Sequence, residues 1–361
     1  MKKKVLALGM TAIMAAAALT GCGNDDSGAQ GIADAGQTAD TEGQTSDVAD
    51  DDTASSDEGD GAAAASSDKV YRIGICQLVE HDALDAATKG FEEALTEKLG
   101  EGNVTFDFQN AQGEQTNCAT ICTQFVTDDV DLILANATAP LQAAAAATNQ
   151  IPILGTSITD YATALDIADW TGATGSNVSG TSDLAPIEEQ ENMLVELFPD
   201  AAKVGILYCS AEANSKYQAD IFSSCLEEDG IAYEIYTAAD SNEIQAVATS
   251  ACQDCDVIYI PTDNTMASNT ETVNNVCQPA GVPVIAGEEG ICAGCGVATL
   301  SISYYDIGYT AGEMAYDILV NGADITTMDV QFAPQVVKKY NQTLCDALSV
   351  EVPEDYVAIG E

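Results

Sequence analysis

Two short acidic motifs occupy positions where a polar binding site is expected. Residues 261–265 (PTDNT) and 287–290 (GEEG) each follow an apolar, β-branched run that predicts a buried strand. In parallel α/β sheets, ligands bind beyond the carboxyl ends of the strands, where loops lead into helix N-termini. The carboxylate of Asp263 and that of Glu288 or Glu289 would then lie at the ends of neighbouring strands. We therefore expect them to converge on one cation, and an ammonium group suits this arrangement.

The loops after the predicted strands carry no lysine or arginine, which limits the ligands they can hold. Arg72 is the only arginine in the chain. Phosphate, sulfate and dicarboxylates are poor ligands, because no guanidinium or lysine meets them. The carboxylate of an amino acid can still be held by helix N-termini together with hydroxyl groups. Besides the acids above, the residues predicted to line the site are Gln77, His81, Asn136, Thr138, Ser157, Thr159, Ser210, Asn214, Ser215 and Asn264.

Each of these assignments has a structural alternative that the sequence leaves open. A hydroxyl or carboxylate at such a position also suits an N-cap, which accepts a hydrogen bond from the first turn of the following helix. For Asp263, capping and ligand contact are equally compatible with its position. Tyr304 and other tyrosines near strand ends could reach the site or pack in the core.

The sequence offers little support for catalysis. His81 is the only histidine, and we interpret it as a polar lining residue and not as a catalytic base. The chain contains neither a G-x-S-x-G nucleophile motif nor a glycine-rich phosphate loop. We therefore expect a binding protein without catalytic residues, cofactor or metal. The first strand-end loop, QLVEHDAL, lacks the aromatic side chains on which sugar rings stack, which disfavours a sugar ligand.

Composition excludes some partners and leaves the cysteines undecided. The formal net charge of −47, from 58 acids and 11 bases, repels nucleic-acid phosphates and anionic lipid headgroups. The twelve cysteines include three close pairs, Cys118 with Cys122, Cys252 with Cys255, and Cys292 with Cys295. These spacings are compatible with structural zinc, with disulfides or with buried free thiols.

The N-terminal residues have the features of an export signal. Three lysines precede a short apolar run that ends in Leu19-Thr20-Gly21-Cys22. This run resembles a bacterial lipobox, so we predict that residues 1–22 form the signal and that Cys22 is acylated. An ordinary cleaved signal is the alternative. Residues 23–68 are almost entirely small, polar or acidic, which predicts an extended acidic linker to a lipid anchor on the extracytoplasmic face of the membrane.

From residue 69 onward, short β-branched runs alternate with amphipathic helical segments. This alternation predicts parallel sheets with right-handed crossovers. A polar stretch at residues 166–183, expected to be irregular, interrupts the alternation before a second set begins. We therefore predict an α/β protein of two doubly wound parallel-sheet domains. The first lobe is predicted to comprise residues 69–180 with 291–325, and the second residues 181–290 with 326–361.

The order of several motifs resembles a known family of binding proteins. The motifs are GICQLVEHDALDAATKGFEEAL, FQNAQGEQTN, VDLILANATAPLQAAAAAT, TSDLAPIEEQ, SAEANS, PTDNT, GEEG and YYDIGYTAGEMAYDIL. Together they are similar to ABC-transporter substrate-binding lipoproteins of the type that includes tryptophan and aromatic amino-acid binders. The cysteine-containing stretches SACQDCDVIYI and GICAGCGVATL depart from the family pattern.

The resemblance implies a fold, a mechanism and a set of partners. It implies a type I periplasmic-binding-protein fold whose two lobes are joined by a three-strand hinge and close on a small solute. The expected ligand is a small zwitterion, namely an aromatic or branched-chain amino acid, and the implied partners are an ABC permease and its ATPase. We expect a monomer that binds no nucleic acid. A sugar- or nucleoside-binding protein of the same fold, or a sensory ligand-binding partner, is the alternative.

Overall fold

The computed structural model describes residues 69–360, so the predicted signal, linker and acylated Cys22 lie outside the described residues. The strands are Tyr71–Gln77 (β1), Val104–Asn110 (β2), Leu132–Asn136 (β3), Ile153–Ile158 (β4), Val178–Ser182 (β5), Lys203–Cys209 (β6), Ala232–Ala238 (β7), Val257–Ile260 (β8), Val284–Ala286 (β9), Ala298–Ser301 (β10), Gln331–Phe332 (β11), Val337–Tyr340 (β12) and Val357–Ala358 (β13).

The helices fill the intervals between these strands, as the alternating pattern predicts. They are Asp82–Leu99 (α1), Gln115–Thr127 (α2), Thr138–Ala147 (α3), Tyr161–Leu165 (α4), Ile187–Leu197 (α5), Ala213–Asp229 (α6), Ile244–Asp254 (α7), Asn264–Ala267 (α8), Thr270–Ala280 (α9), Glu289–Cys295 (α10), Tyr304–Leu319 (α11) and Gln342–Leu348 (α12). Every helix within residues 69–360 is too short or too polar to cross a membrane.

The first lobe is built on a six-stranded sheet in the order β11-β5-β4-β3-β1-β2, with all neighbours parallel. Its inner strands are buried on both faces, as in parallel sheets that are covered by helices on each side. Helices α2 and α3 cover one face, and α1 and α11 cover the other. The backbones of α1 and α11 touch, because a Cβ atom on Gly308 would lie 1.9 Å from the carbonyl oxygen of Ala87.

The second lobe is built on a seven-stranded sheet in the order β13-β12-β10-β9-β8-β6-β7. All neighbours are parallel except β10 and β12, which pair antiparallel. Helices α5, α6 and α12 pack on one face, and α7, α9 and α10 pack on the other. Phe222 of α6 stacks on Tyr259 of β8 with ring centroids 3.7 Å apart. The predicted fold class is therefore confirmed.

The chain crosses between the lobes three times, after β5, after β10 and after β11. These crossings place two segments differently from the predicted lobe boundaries. Helix α10 and strand β10, predicted in the first lobe, belong to the second, because β10 pairs with β9 and β12. Strand β11, predicted in the second lobe, pairs with β5 of the first.

Strand β5 lies inside the stretch that was predicted to be irregular, and that prediction was wrong. Its sequence, VSGTS, has no apolar alternation, yet every residue in it is buried. Pairing with β4 on one side and β11 on the other defines the strand. Gly180 permits this contact, because a Cβ atom there would lie 2.0 Å from the carbonyl oxygen of Gly155.

The cysteines of the described range are free thiols, and most of them are core residues. Nine of the eleven are buried, and only Cys225 and Cys252 are partly exposed. Within residues 69–360, no cluster of three or more His, Cys, Asp or Glu side chains is placed to hold a metal ion. The close spacings in the sequence therefore correspond neither to a zinc site nor to disulfides in this structure.

Candidate functional site

The carboxyl ends of strands from both sheets face each other and enclose a small cavity between the lobes, here called the central cavity. It is lined by His81, Leu84, Ser157, Asp183, Asn214, Thr262, Asp263, Asn264, Ala267, Glu288 and Tyr304. The open space inside is about 10 Å³, which is room for roughly one water molecule.

Hydrogen bonds between side chains hold the lobes together beside the central cavity. His81 Nε2 of the first lobe lies 3.2 Å from Asn264 Oδ1 of the second. Gln218 Nε2 of the second lobe donates to Thr159 Oγ1 of the first at 3.3 Å. The two lobes are therefore closed around the residues that line the cavity.

Asp263 combines the two roles that the sequence left open. Its Oδ1 accepts a hydrogen bond from Met266 N at 2.8 Å and so caps α8, while Oδ2 accepts from Cys209 N at 2.7 Å. The side chain is 2% exposed and still lines the central cavity. Burial, with a smaller contribution from the neighbouring Glu212 carboxylate, raises the pKa of Asp263 to about 8.

Glu288 and Glu289, adjacent in sequence, have separate environments. Glu288 lines the central cavity and caps α10 by accepting from Gly290 N at 2.6 Å and Ile291 N at 2.5 Å. Burial raises the pKa of Glu288 to about 7. Glu289 instead pairs with Lys339 Nζ at 2.5 Å on the hinge side of the cleft. The structure thus places Glu288, and not Glu289, in the central cavity with Asp263.

Asp183 is a third carboxylate in the central cavity, and the sequence analysis missed it. It follows β5, accepts from Thr159 Oγ1 at 2.9 Å and Tyr304 OH at 3.0 Å, and is 5% exposed. Burial raises the pKa of this carboxyl group. The available signal was its position in the motif TSDLAPIEEQ, but β5 was not recognised as a strand.

A chain of hydrogen bonds connects His81 to Glu212 through Asn264. Glu212 Oε2 accepts from Asn264 Nδ2 at 2.7 Å, which turns Asn264 Oδ1 toward His81 Nε2. Burial lowers the pKa of His81, which favours the neutral ring, and the contact with Asn264 Oδ1 suits the tautomer that carries its hydrogen on Nε2. His81 Nδ1 is then a free acceptor, and it is buried without a hydrogen-bond partner.

Ser157 brings a second unpartnered polar atom to the central cavity. It is the penultimate residue of β4, in the left-handed region at φ 57°, and its Oγ is buried without a hydrogen-bond partner. A buried polar group without a partner is costly, so such groups often mark where a ligand binds. Ser157 can donate its hydroxyl hydrogen to an anionic group in the cavity.

Several predicted site residues support the loops and do not line the central cavity. Gln77 and Asn136 bind each other and α1 inside the first lobe: Gln77 donates to Asp85 at 2.6 Å, and Asn136 donates to the carbonyl of Leu84 at 2.8 Å. Their amides are therefore used to hold α1 on its sheet, which corrects the prediction that they face a ligand.

Four further predicted residues also lie outside the central cavity. Ser210 Oγ donates to the carbonyl of Ala238, and Ser215 Oγ donates to that of Thr262. Thr159 is buried behind Asp183. Thr138 lines a wider opening of about 560 Å³ between the lobes, here called the mouth cleft. Asn214 and Asn264 line both spaces.

Glu212, which sequence reasoning did not single out, organises the second-lobe side of the mouth cleft. Its two oxygens accept from Asn264 N at 3.0 Å, Thr265 N at 2.8 Å and Thr265 Oγ1 at 2.8 Å. Both oxygens are therefore engaged in holding the start of α8. The segment that leads from β8 into α8 presents Asp263 and Asn264 to the central cavity.

Comparison with known proteins agrees with this architecture. Residues 72–359 match the family model described as ABC transporter substrate binding protein. A curated relative, the tyrosine-binding protein of Clostridioides difficile strain R20291, is 35% identical over 335 residues, covering 91% of this chain and 88% of the relative.

Two solved structures resemble this chain over nearly their whole length. An ABC domain from Streptococcus pneumonia in complex with L-Trp has a TM-score of 0.76 at 31% identity, covering 79% of this chain and 97% of that one. A ligand-free, open substrate-binding protein from Clostridium difficile has a TM-score of 0.62 at 36% identity, covering 80% and 99%. The chain belongs to the family of ABC transporter substrate-binding proteins.

Proposed function

We propose that this substrate-binding protein takes a zwitterionic aromatic amino acid, whose ammonium group occupies the central cavity. The observation that carries the proposal is the presence of three buried carboxylates, Asp183, Asp263 and Glu288, in a cavity that no lysine or arginine lines. A buried charge without a partner is costly, and the raised pKa values of the three groups follow from that cost. An ammonium group supplies the missing positive charge.

The acceptor-rich surroundings of these carboxylates favour a donor such as an ammonium group. His81 Nδ1 adds a neutral acceptor without a partner, and the three carboxylates add six oxygens that already receive neutral donors. An ammonium group has three hydrogens to donate and no acceptor. Sugar and nucleoside hydroxyls would leave the negative charge of the cavity uncompensated.

The ligand carboxylate has a separate set of donors in the first lobe. Ser157 Oγ lacks a partner, and the N-terminus of α1 has no side-chain cap. The first-turn N–H groups of an 18-residue helix are free to bind an anion in that position. Leu84, in that first turn, lines the central cavity. A zwitterion therefore spans the two sets of groups.

The mouth cleft provides space for the side chain of the ligand. It adjoins the central cavity through Asn214 and Asn264, and Leu78 and Val79 contribute apolar wall while Gln142 contributes an amide. The names of the relatives, one tyrosine-binding and one bound to L-Trp, support an aromatic side chain over a branched one.

Ligand entry requires the lobes to separate, because the central cavity in the closed arrangement has room for about one water molecule. Reclosure on the ligand then brings groups from both lobes onto it, and the differential affinity of the ligand for the closed form drives the change.

We further propose that the protein is a monomer, that acylated Cys22 attaches it to the extracytoplasmic face of the membrane, and that the closed form delivers the ligand to an ABC permease with its ATPase. The family and the extracytoplasmic location of such proteins support this assignment.

Calorimetry with matched ligands tests the proposal. L-tyrosine should bind, whereas 3-(4-hydroxyphenyl)propionate, which lacks only the ammonium group, should bind at least roughly 30-fold more weakly, the scale expected for a desolvated charge pair. Tyramine lacks only the carboxylate, so the difference between its affinity and that of L-tyrosine measures what Ser157 and the N-terminus of α1 contribute to binding the carboxylate. Equal binding of tyrosine and the propionate, or binding of sugars or nucleosides alone, would contradict the assignment.

A further inference from the structure

Two cysteines that are distant in sequence meet between two helices of the second lobe. Cys252 near the end of α7 and Cys277 in α9 place their Sγ atoms 3.5 Å apart. The close pair is therefore not Cys252 with Cys255, whose Sγ instead contacts Tyr236 OH at 3.7 Å. A disulfide has an S–S length of about 2.05 Å, so an approach of about 1.5 Å would join the two helices.

The two sulfurs differ in accessibility. Cys252 is partly exposed, whereas Cys277 is 1% exposed and packs in the second-lobe core. The hydrogen-bonding contact between the two thiols lowers the pKa of Cys252, while the same contact and burial raise the pKa of Cys277. Thiolates are the reactive form of cysteine, so the reachable sulfur is also the one that ionises more readily.

The other thiols of the described chain lack this combination. Cys76, Cys118 and Cys122 cluster in the first lobe, but all three are fully buried, so a reagent in solution does not reach them. Cys225 is partly exposed in the groove between α5 and α6, but it makes no hydrogen bond to another thiol of residues 69–360. Burial and nearby acids raise the pKa of Cys225.

We propose that Cys252 and Cys277 form a dithiol modification site that is oxidised to a disulfide by small-molecule disulfides. The Cys252 thiolate attacks one sulfur of the small disulfide and displaces one small thiolate, which leaves a mixed disulfide on Cys252. Cys277 then loses its proton and attacks Cys252 Sγ, and the second small thiolate leaves. Two electrons pass from the protein pair to the small disulfide, which is released as two thiols.

The product ties α7 to α9 and closes a loop from residue 252 to residue 277. Crosslinks of this loop length stabilise a fold mainly by restricting the unfolded chain. We therefore expect the oxidised protein to melt several degrees above the reduced protein. A reductant should reverse the shift.

The test treats the folded, full-length chain with 2-hydroxyethyl disulfide. This reagent is neutral, which avoids repulsion from a protein of formal charge −47. Remaining thiols are blocked with an alkylating agent, and the chain is cut at acidic residues, since Asp254, Asp256, Asp263 and Glu271 separate the two cysteines. Mass spectrometry should find the Cys252 and Cys277 peptides joined and two mass units lighter than their sum.

Two variants and one internal control distinguish the proposed route from random oxidation. Cys277→Ser should stop the reaction at the mixed disulfide on Cys252, whereas Cys252→Ser should leave Cys277 unmodified in the folded protein. Cys225 should at most form a mixed disulfide, more slowly than Cys252. Circular dichroism confirms that each variant is folded. Recovery of Cys252 and Cys277 as alkylated thiols after Cys225 has reacted, or linkage of Cys252 to another cysteine, would overturn the proposal.

Discussion

The substitution Asp183→Asn separates the charge of the central cavity from its shape. The two partners of Asp183 are the hydroxyls of Thr159 and Tyr304, which can either donate or accept. An amide of nearly the same volume can therefore keep both contacts. In contrast, both oxygens of Asp263 and of Glu288 accept hydrogen bonds from backbone N–H groups. An amide nitrogen is itself a donor, so an Asn or Gln at either position would set two donors against each other.

The structure sets the expected size of the effect. Asp183 is 5% exposed, so the proposed contact with a ligand ammonium would be desolvated, and losing one partner of such a pair costs about 2 to 5 kcal/mol. Asp263 and Glu288 remain to balance the ligand charge, so we expect the loss of binding free energy to lie at the lower end of this range. A loss of about 2 kcal/mol corresponds to a roughly 30-fold rise in the Kd for L-tyrosine.

Stability of the protein without ligand should change in the opposite direction. Burial raises the folded-state pKa of Asp183 above its unfolded value, so this group contributes stability at low pH that is lost as pH rises through the folded-state pKa. Above the folded-state pKa of Asp183, the neutral amide avoids that loss. Asp183→Asn should therefore raise the Tm while weakening binding.

Calorimetry for affinity and a thermal melt at the same pH measure both effects. Glu289→Gln is the matched control, because Glu289 pairs with Lys339 outside the central cavity. Its Kd should stay within about twofold of the wild-type value, as expected for a partly exposed ion pair. Unchanged affinity in Asp183→Asn, or a fall in both affinity and Tm, would refute the role assigned to the charge.

Three further outcomes follow from the same geometry. Asp263→Ala should weaken amino-acid binding by roughly 2 to 4 kcal/mol and also lower the Tm, because the α8 cap is lost with the charge; unchanged affinity by calorimetry would leave capping as its only role. Burial raises the pKa of Asp263 to about 8 and of Glu288 to about 7, so between about pH 6 and about pH 9 the ligand-free Tm should fall, and the Tm increase caused by L-tyrosine should grow. A pH-independent ligand shift in melting experiments would contradict this. Gly308→Ala should lower the unfolding free energy by roughly 1 to 3 kcal/mol, measured by denaturant titration, because the added methyl group meets the α1 backbone.

Sequence periodicity predicted most of the fold because most elements have a strong local signal. Most central strands of both sheets are apolar runs, and the long helices are amphipathic, so alternation alone indicated two doubly wound sheets. Strand β5 lacks that signal, since its residues are small and polar and only its pairing with β4 and β11 defines it. Asp183 was missed for the same reason. The expectation that ligands bind beyond the carboxyl ends of strands can be applied only to strands that are recognised.

The site was predicted less completely than the fold, because adjacent residues at a strand end can face in different directions. Glu288 and Glu289 have the same chemistry, and the cap of α10 decides which of them enters the cavity. Gln77 and Asn136 lie at the carboxyl ends of strands, where site residues are expected, but their amides bind α1. These outcomes depend on long-range contacts that a local pattern does not contain.

The distribution of charge across the lobes explains how a small ligand can control closure. Asp183 belongs to the first lobe, whereas Asp263 and Glu288 belong to the second, so closure brings like charges together in a space that excludes water. This repulsion favours the open form when the three groups are ionised. In the complex proposed above, a ligand ammonium would reverse the sign of the interaction only in the closed form, where groups from both lobes would contact it. Because a ligand shifts a conformational equilibrium only by its differential affinity, the proposed site would use the same carboxylates that oppose closure of the free protein to make closure dependent on the cation.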